Sequence, residues 1–223
     1  MKKIISVILI LSLLFALSAC AKTGSEAETT TPDATQTTTE TSGAETEPTG
    51  EHKAVVIYFS RAGEQYGVGT IEKGNTKIVA EMIADKTGAD LFEIEPTDSR
   101  YDLSYDDLND YAKKEQADNA RPEYKGNINL SSYDTVYLGY PIWWGDLPMI
   151  VYSFLENNNF SGKTVYAFCT HAGSGDAGTA GNIAKTIPDA AVSDDLLAIA
   201  GTTAQNEQDK ALSEVEEWLN EIK

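Results

Sequence analysis

The run Ala54-Val-Val-Ile-Tyr-Phe59 restricts this chain more than any other feature. It offers water no polar face, so it reads as a strand covered on both sides, which requires helices above and below its sheet. Asp90–Ile94, Asp134–Tyr140 and Lys163–Thr170 read as further strands, and Val192–Ile199 contains a fifth, interrupted by Asp194-Asp195. Between them lie helical patterns. Asn75–Lys86 carries Ile78, Val79, Met82 and Ile83 at helical spacing and stops at Gly88. Pro148–Glu156, Thr179–Lys185 and Glu207–Ile222 follow, the last with a stripe of Leu212, Val215, Trp218, Leu219 and Ile222. Leu103–Asn119 is polar and irregular, a loop plus a helix. Strands alternating with helices predict right-handed βαβ units and an α/β sandwich of three layers. The expected sheet is five-stranded and parallel in the order 2-1-3-4-5, with a ligand beyond the carboxyl ends of strands one and three.

The first fifty residues follow other rules. Met1-Lys2-Lys3 is basic, Ile4–Leu17 is apolar but for Ser6 and Ser12, and Leu17-Ser18-Ala19-Cys20 ends in small residues and a cysteine. This is the layout of a signal peptide, too short to span a membrane comfortably. The four residues ending at Cys20 resemble the lipobox of bacterial lipoproteins. The resemblance implies cleavage before Cys20, diacylglycerol on its thiol, and a protein anchored to the outer face of the cell membrane. An ordinary secretory signal with a chance cysteine is the alternative. Residues 20–52 are mostly Thr, Glu, Ser, Ala and Gly; they have nothing to bury and read as a solvated tether. Residues 53–223 are then one domain with its own core, behind a signal at residues 1–19.

Charge and cysteine narrow the function. A formal charge of −18 excludes electrostatic binding of nucleic acid or anionic head groups and favours a basic partner. With Cys20 acylated only Cys169 remains, so no internal disulfide forms, and the two histidines have no metal-ligand spacing.

Unusual residues gather after strands one, three and four, where this fold places its ligand. Ser60 to Thr76 leads into the first helix, where free N–H groups and the helix dipole suit an anion. Ser60 and Thr76 supply hydroxyls, and Gly74 and Asn75 tolerate a tight cradle; the alternative is that Asn75 or Thr76 merely caps the helix. A P-loop is excluded because Asn75, not Lys, follows Gly74, and Glu72 stands where a dinucleotide fingerprint needs glycine. Tyr140-Pro141-Ile142-Trp143-Trp144-Gly145-Asp146 sets two adjacent indoles at the switch point. Either they cover a flat ring, or one joins the core while the other packs on a helix. Thr170-His171-Ala-Gly173-Ser-Gly175-Asp-Ala-Gly178 contains a literal Gly-x-Gly-x-x-Gly, but after the fourth strand rather than the first, against a dinucleotide site.

These loops are similar to those of flavodoxins, in particular a subgroup whose phosphate loop begins Ser-Arg-Ala-Gly-Glu and ends Gly-Asn-Thr. Here Ser60 to Glu64 and Gly74-Asn75-Thr76 stand at the two ends, with residues 64–73 between them. The resemblance implies FMN as cofactor, its phosphate in residues 60–76. It implies the flavin against Pro141, Ile142, Trp143, Trp144 and Gly145, and its pyrimidine side near Thr170, His171, Gly173 and Gly175. Arg61 is expected to pair with the phosphate, facing solvent being the alternative. His171 is expected to donate to the flavin edge or shuttle a proton, unless it is a surface histidine without a duty. Cys169 reads as a buried apolar residue. Asp146 is expected to add negative charge near the ring and lower its potential. No catalytic triad is needed, since a flavin carries the redox chemistry itself. The implied function is an electron carrier with a redox partner protein or small acceptor. Rival readings are an FMN-dependent NAD(P)H:quinone-type reductase, to which residues 64–73 would lend a pocket wall, and a flavin-free binding module.

Overall fold

The computed structural model describes residues 53–222. The signal, Cys20 and the tether lie outside the described residues. In chain order the elements are β1 (Ala54–Tyr58), β2 (Gly63–Gln65), β3 (Gly69–Ile71), α1 (Asn75–Thr87), β4 (Asp90–Glu93), β5 (Glu95–Pro96) and a 3-10 turn at Ser99–Asp102. There follow α2 (Tyr105–Ala117), β6 (Tyr124–Lys125), a second 3-10 turn at Leu130–Ser132, β7 (Thr135–Pro141), α3 (Met149–Asn157) and β8 (Thr164–His171). The chain closes with α4 (Ala180–Thr186), β9 (Ala191–Val192), β10 (Leu197–Ala200), α5 (Gly201–Asn206) and α6 (Gln208–Glu221).

The sheet runs β10-β8-β7-β1-β4, all parallel, with β9 beside β8. Taken in chain order this is 2-1-3-4-5, as expected. Each of its faces carries a core. Val55, Ile57, Val136, Leu138 and Tyr140 meet Ile150, Phe154 and Leu155 of α3 and Ile183 of α4 on one side. Val56, Tyr58, Phe168 and Ile199 meet Val79 and Ile83 of α1 and Val215, Trp218 and Leu219 of α6 on the other. Burial of side chains this size is worth ~2 kcal/mol each, which is why the apolar runs end up inside. The sheet closes tightly at Gly139, where a Cβ would lie 2.1 Å from the Phe168 ring.

The helices stop where local chemistry ends them. Gly88 takes the left-handed conformation (φ 71°) and donates to the Ala84 carbonyl. Ser104 caps α2 by accepting from the Asp107 N–H, and Asp106 and Asp107 favour its first turn. The uncertain fifth strand is split. β9 pairs with the start of β8 and β10 with its end, and between them the Asp195 carbonyl accepts from the Trp218 indole at 3.0 Å. Several short elements were not legible in the sequence: the antiparallel pairs β2–β3 within residues 64–73 and β5–β6, the two 3-10 turns, and α5.

Candidate functional site

The carboxyl ends of β1, β7 and β8 open on a cavity of about 550 Å³, a size typical of small-molecule sites. Of the expected site residues it is lined by Arg61, Asn75, Pro141, Ile142, Trp143, Trp144, Thr170 and His171. Ser60 and Gly74 line a smaller neighbouring hollow, and Thr76 is buried, its hydroxyl 2.8 Å from that of Thr170. Gly145, Gly173 and Gly175 take left-handed conformations but do not line the cavity.

At the start of α1 the backbone is drawn in closely. A Cβ on Gly74 would lie 2.3 Å from Ser60 Oγ and 2.5 Å from the Arg61 carbonyl oxygen. Gly74 is the N-cap and offers no side chain; instead Ser60 Oγ accepts the Lys77 N–H from across the loop at 3.0 Å. Asn75 and Thr76 lie inside the helix and cap nothing. Asn75 accepts from Gln205 Nε2 at 2.9 Å and packs so closely on Gly201 that a Cβ there would be 2.4 Å from its Nδ2. The first turn of α1 holds no acid. A helix N-terminus with no acid in its own first turn favours an anion; Glu72 and Glu93, the latter paired with Lys77, line the adjoining hollow.

Trp143 and Asp146 exchange backbone hydrogen bonds at 3.0 and 3.1 Å around Trp144 (φ 52°) and Gly145 (φ 76°). Positive φ at both central residues is the type I′ turn, which favours Asn-Gly. Trp in that conformation costs of order 1 kcal/mol or more. The turn points its two indoles apart. Trp143 packs on the core, edge-on to Phe59 at 5.4 Å and stacked on Tyr101 at 5.9 Å. Trp144 stays 49% exposed; its indole donates to the Asn109 carbonyl at 2.9 Å and lies under Lys113 Nζ at 4.7 Å. One indole therefore does join the core and the other does meet a helix, yet both line the cavity.

Three of the expected features are tied into the protein's own contacts. Arg61 lines the cavity, with three of its five N–H donors already engaged by the protein itself. It donates to the Tyr101 carbonyl at 2.8 Å, to the Glu64 carbonyl at 2.5 Å and to the Leu103 carbonyl. A guanidinium has five donors in a fixed fork, and here the surrounding loops supply the acceptors. Burial lowers its pKa from the usual arginine value. Asp146 does not line the cavity; its Oδ1 accepts from Leu147 N, Tyr152 Oη and Asn182 Nδ2, tying α3 to α4. The acids on the cavity wall are Asp106 and Asp110 of α2. Residues 64–73 form a fixed wall. Glu64 Oε2 accepts the Tyr105 N–H at 3.1 Å, and Gln205 Nε2 donates to the Lys73 carbonyl at 2.7 Å.

His171 sits at the end of β8, and its Nδ1 accepts the Gly173 N–H at 3.0 Å, which assigns the neutral ring's proton to Nε2. Cys169 is fully buried, and burial pushes its thiol up to about 12, far from a nucleophile. Among the described residues no group of His, Cys, Asp and Glu has the arrangement of a metal site.

Residues 64–73 contribute Gln65 and Tyr66 to the wall, while the sequence reading missed Gly201 and the α2 face of Tyr105, Leu108, Asn109 and Ala112. Tyr66 is 64% exposed and lies 6.1 Å from the Tyr105 ring. One signal was available: Ser104 followed by Asp107 marks a helix start and places Tyr105, Leu108 and Ala112 along one stripe.

A family model described as flavodoxin matches residues 53–222. No curated protein matches the chain. Similar solved structures include a protein described as a flavoprotein from Bacteroides eggerthii, 29% identical with a TM-score of 0.58 over 75% of this chain and 96% of that one. A second, from Bacteroides uniformis, is 27% identical with a TM-score of 0.59, covering 76% and 98%. A flavoprotein of Lactobacillus acidophilus, solved in complex with FMN, is 22% identical with a TM-score of 0.54, covering 75% and 98%; it speaks for the fold alone.

Proposed function

This chain belongs to the flavodoxin family, and from that premise we propose that it holds FMN in the cavity at the ends of β1, β7 and β8 and transfers electrons through it. One observation carries the reading: a cavity walled by Trp143 and Trp144 lies next to a helix N-terminus that has no acid in its first turn. Those are the two requirements of a flat aromatic ring with a phosphate tail. Ser60 and the backbone of Gly74, Asn75 and Thr76 would hold the phosphate, while Pro141, Ile142, Trp143 and Trp144 would meet the ring and His171 its edge. The bound flavin supplies the one- or two-electron chemistry; the protein supplies binding, orientation and field. Purified protein that is yellow, and whose released flavin is FMN, supports this; protein that stays colourless after FMN is added overturns it in favour of a flavin-free module.

We place the domain on the outer face of the membrane, anchored through Cys20, on the strength of the lipobox resemblance and the tether behind it. Lipid labelling that is lost in Cys20→Ser tests the anchor. A second reading, an FMN-dependent NAD(P)H:quinone-type reductase, is favoured by the β2–β3 insertion, which lends the cavity Gln65 and Tyr66. Rapid NAD(P)H consumption only when a quinone is present separates the enzyme from the carrier.

A further inference from the structure

Behind the cavity wall stands Tyr101, in the 3-10 turn Ser99–Asp102, with 2% of its surface exposed. Its ring stacks on Trp143 with planes 24° from parallel and centroids 5.9 Å apart. Phe59 meets Trp143 edge-on at 89° and Tyr101 edge-on at 81°. The indole is thus backed on a face and on an edge, which fixes its plane. Tyr101 is itself held at both ends: Arg61 Nε donates to its carbonyl at 2.8 Å, and its hydroxyl donates to Glu115 Oε2 at 2.9 Å. Glu115 is 5% exposed; the Tyr111 hydroxyl also faces its carboxylate, and its Oε1 makes no hydrogen bond of good geometry among the described residues.

An acid in that position is costly. Burying a carboxyl with one oxygen poorly paired is less favourable than burying leucine, and burial raises its pKa above the usual range. Holding a tyrosine in one orientation is a role that leucine does not perform. Besides lining the cavity with α2, the excursion from β5 to α2 brings both Tyr101 and Glu115 behind Trp143.

We propose that Tyr101 is the positioning residue of this site: clamped by Arg61 and Glu115, it sets the plane of Trp143 and so the fit of a flat ring in the cavity. The effect on a bound ring rests on the FMN reading above; the fixing of Trp143 does not. The test compares Tyr101→Leu and Tyr101→Phe with the full chain, each with and without Trp143→Phe, so that the Trp143 signal is a difference. In Tyr101→Leu the Trp143 emission shifts to the red, its near-ultraviolet dichroism collapses, and FMN binds about two- to tenfold more weakly, the worth of one aromatic pair. Tyr101→Phe keeps the stack and moves each readout less. Wild-type emission and FMN affinity in a folded Tyr101→Leu protein overturn the proposal. If Tyr101→Leu does not fold, Tyr101→Phe and Glu115→Gln decide, and an unmoved Trp143 emission in both overturns it. A wild-type protein that binds no FMN sinks the cofactor reading, and the Trp143 emission still decides this one.

Discussion

Gly74 and Ser60 stand so close that a β-carbon on Gly74 would lie 2.3 Å from the Ser60 hydroxyl oxygen. That oxygen already accepts the Lys77 N–H, so it has little freedom to retreat. The contact joins the end of β1 to the start of α1 and shapes the cradle at the mouth of the sheet.

Gly74→Ala is therefore expected to destabilise the protein by ~1–3 kcal/mol, the usual cost of overpacking, and to weaken FMN binding. Gly88→Ala also destabilises, because of its left-handed backbone, yet it leaves FMN affinity unchanged. Urea unfolding with FMN titration on both variants checks the contrast.

Arg61→Ala removes a charged donor from three carbonyls at once, with an expected loss of ~2 kcal/mol or more. Hydrogen exchange gives the sharper check. Amides of residues 63–71 and of the first turn of α2 exchange faster, while those of β7 do not.

Trp144 occupies a turn position that favours asparagine. Trp144→Asn is expected to leave stability without FMN within ~1 kcal/mol of the wild type, or to raise it, as backbone strain is relieved. Its FMN affinity falls, since an indole facing the cavity is lost. Thermal unfolding with and without FMN separates the two effects.

Burial raises the pKa of Glu115 in the folded protein, although the hydroxyls of Tyr111 and Tyr101 and the charge of Arg100 oppose it. A carboxyl whose folded pKa lies above its unfolded value binds more protons when folded. Its contribution is present below the unfolded pKa and is lost as pH rises towards the folded one. Glu115→Gln does not titrate, so its stability relative to wild type rises as pH climbs above the ordinary glutamate value of about 4.3. Melting temperatures of both proteins across that rise in pH check the sign.

The buried Cys169 thiol, pushed up to about 12, is expected to resist a disulfide reagent in folded Cys20→Ser protein and to react stoichiometrically once urea unfolds it. Reaction at a free-thiol rate before unfolding would contradict its burial.

The strand and helix order was legible because both-face burial leaves uninterrupted apolar runs such as Ala54–Phe59, and because Gly88 marks its helix end in the sequence itself. Even the doubt over the fifth strand, raised by Asp194-Asp195, corresponded to a real break between β9 and β10. The site was legible as far as it is built from loops at the switch point. Pro141, Trp143, Trp144 and His171 do share one cavity, because a parallel sheet gathers its carboxyl ends.

Tertiary structure decided the rest, since those partners are far apart in the chain or are backbone atoms without a sequence signature. Arg61 reads as an anion ligand in the sequence, and only the fold brings the carbonyls of Tyr101 and Leu103, some forty residues on, to its donors. Asp146 reads only as a charge beside the indoles in the sequence, and the fold ties its oxygen to Tyr152 and Asn182. Local periodicity and side-chain chemistry determine which segments become strands and helices, because burial and capping act over a few residues. Which donor meets which acceptor depends on where the closed fold leaves each carbonyl, and only the packed molecule has that geometry.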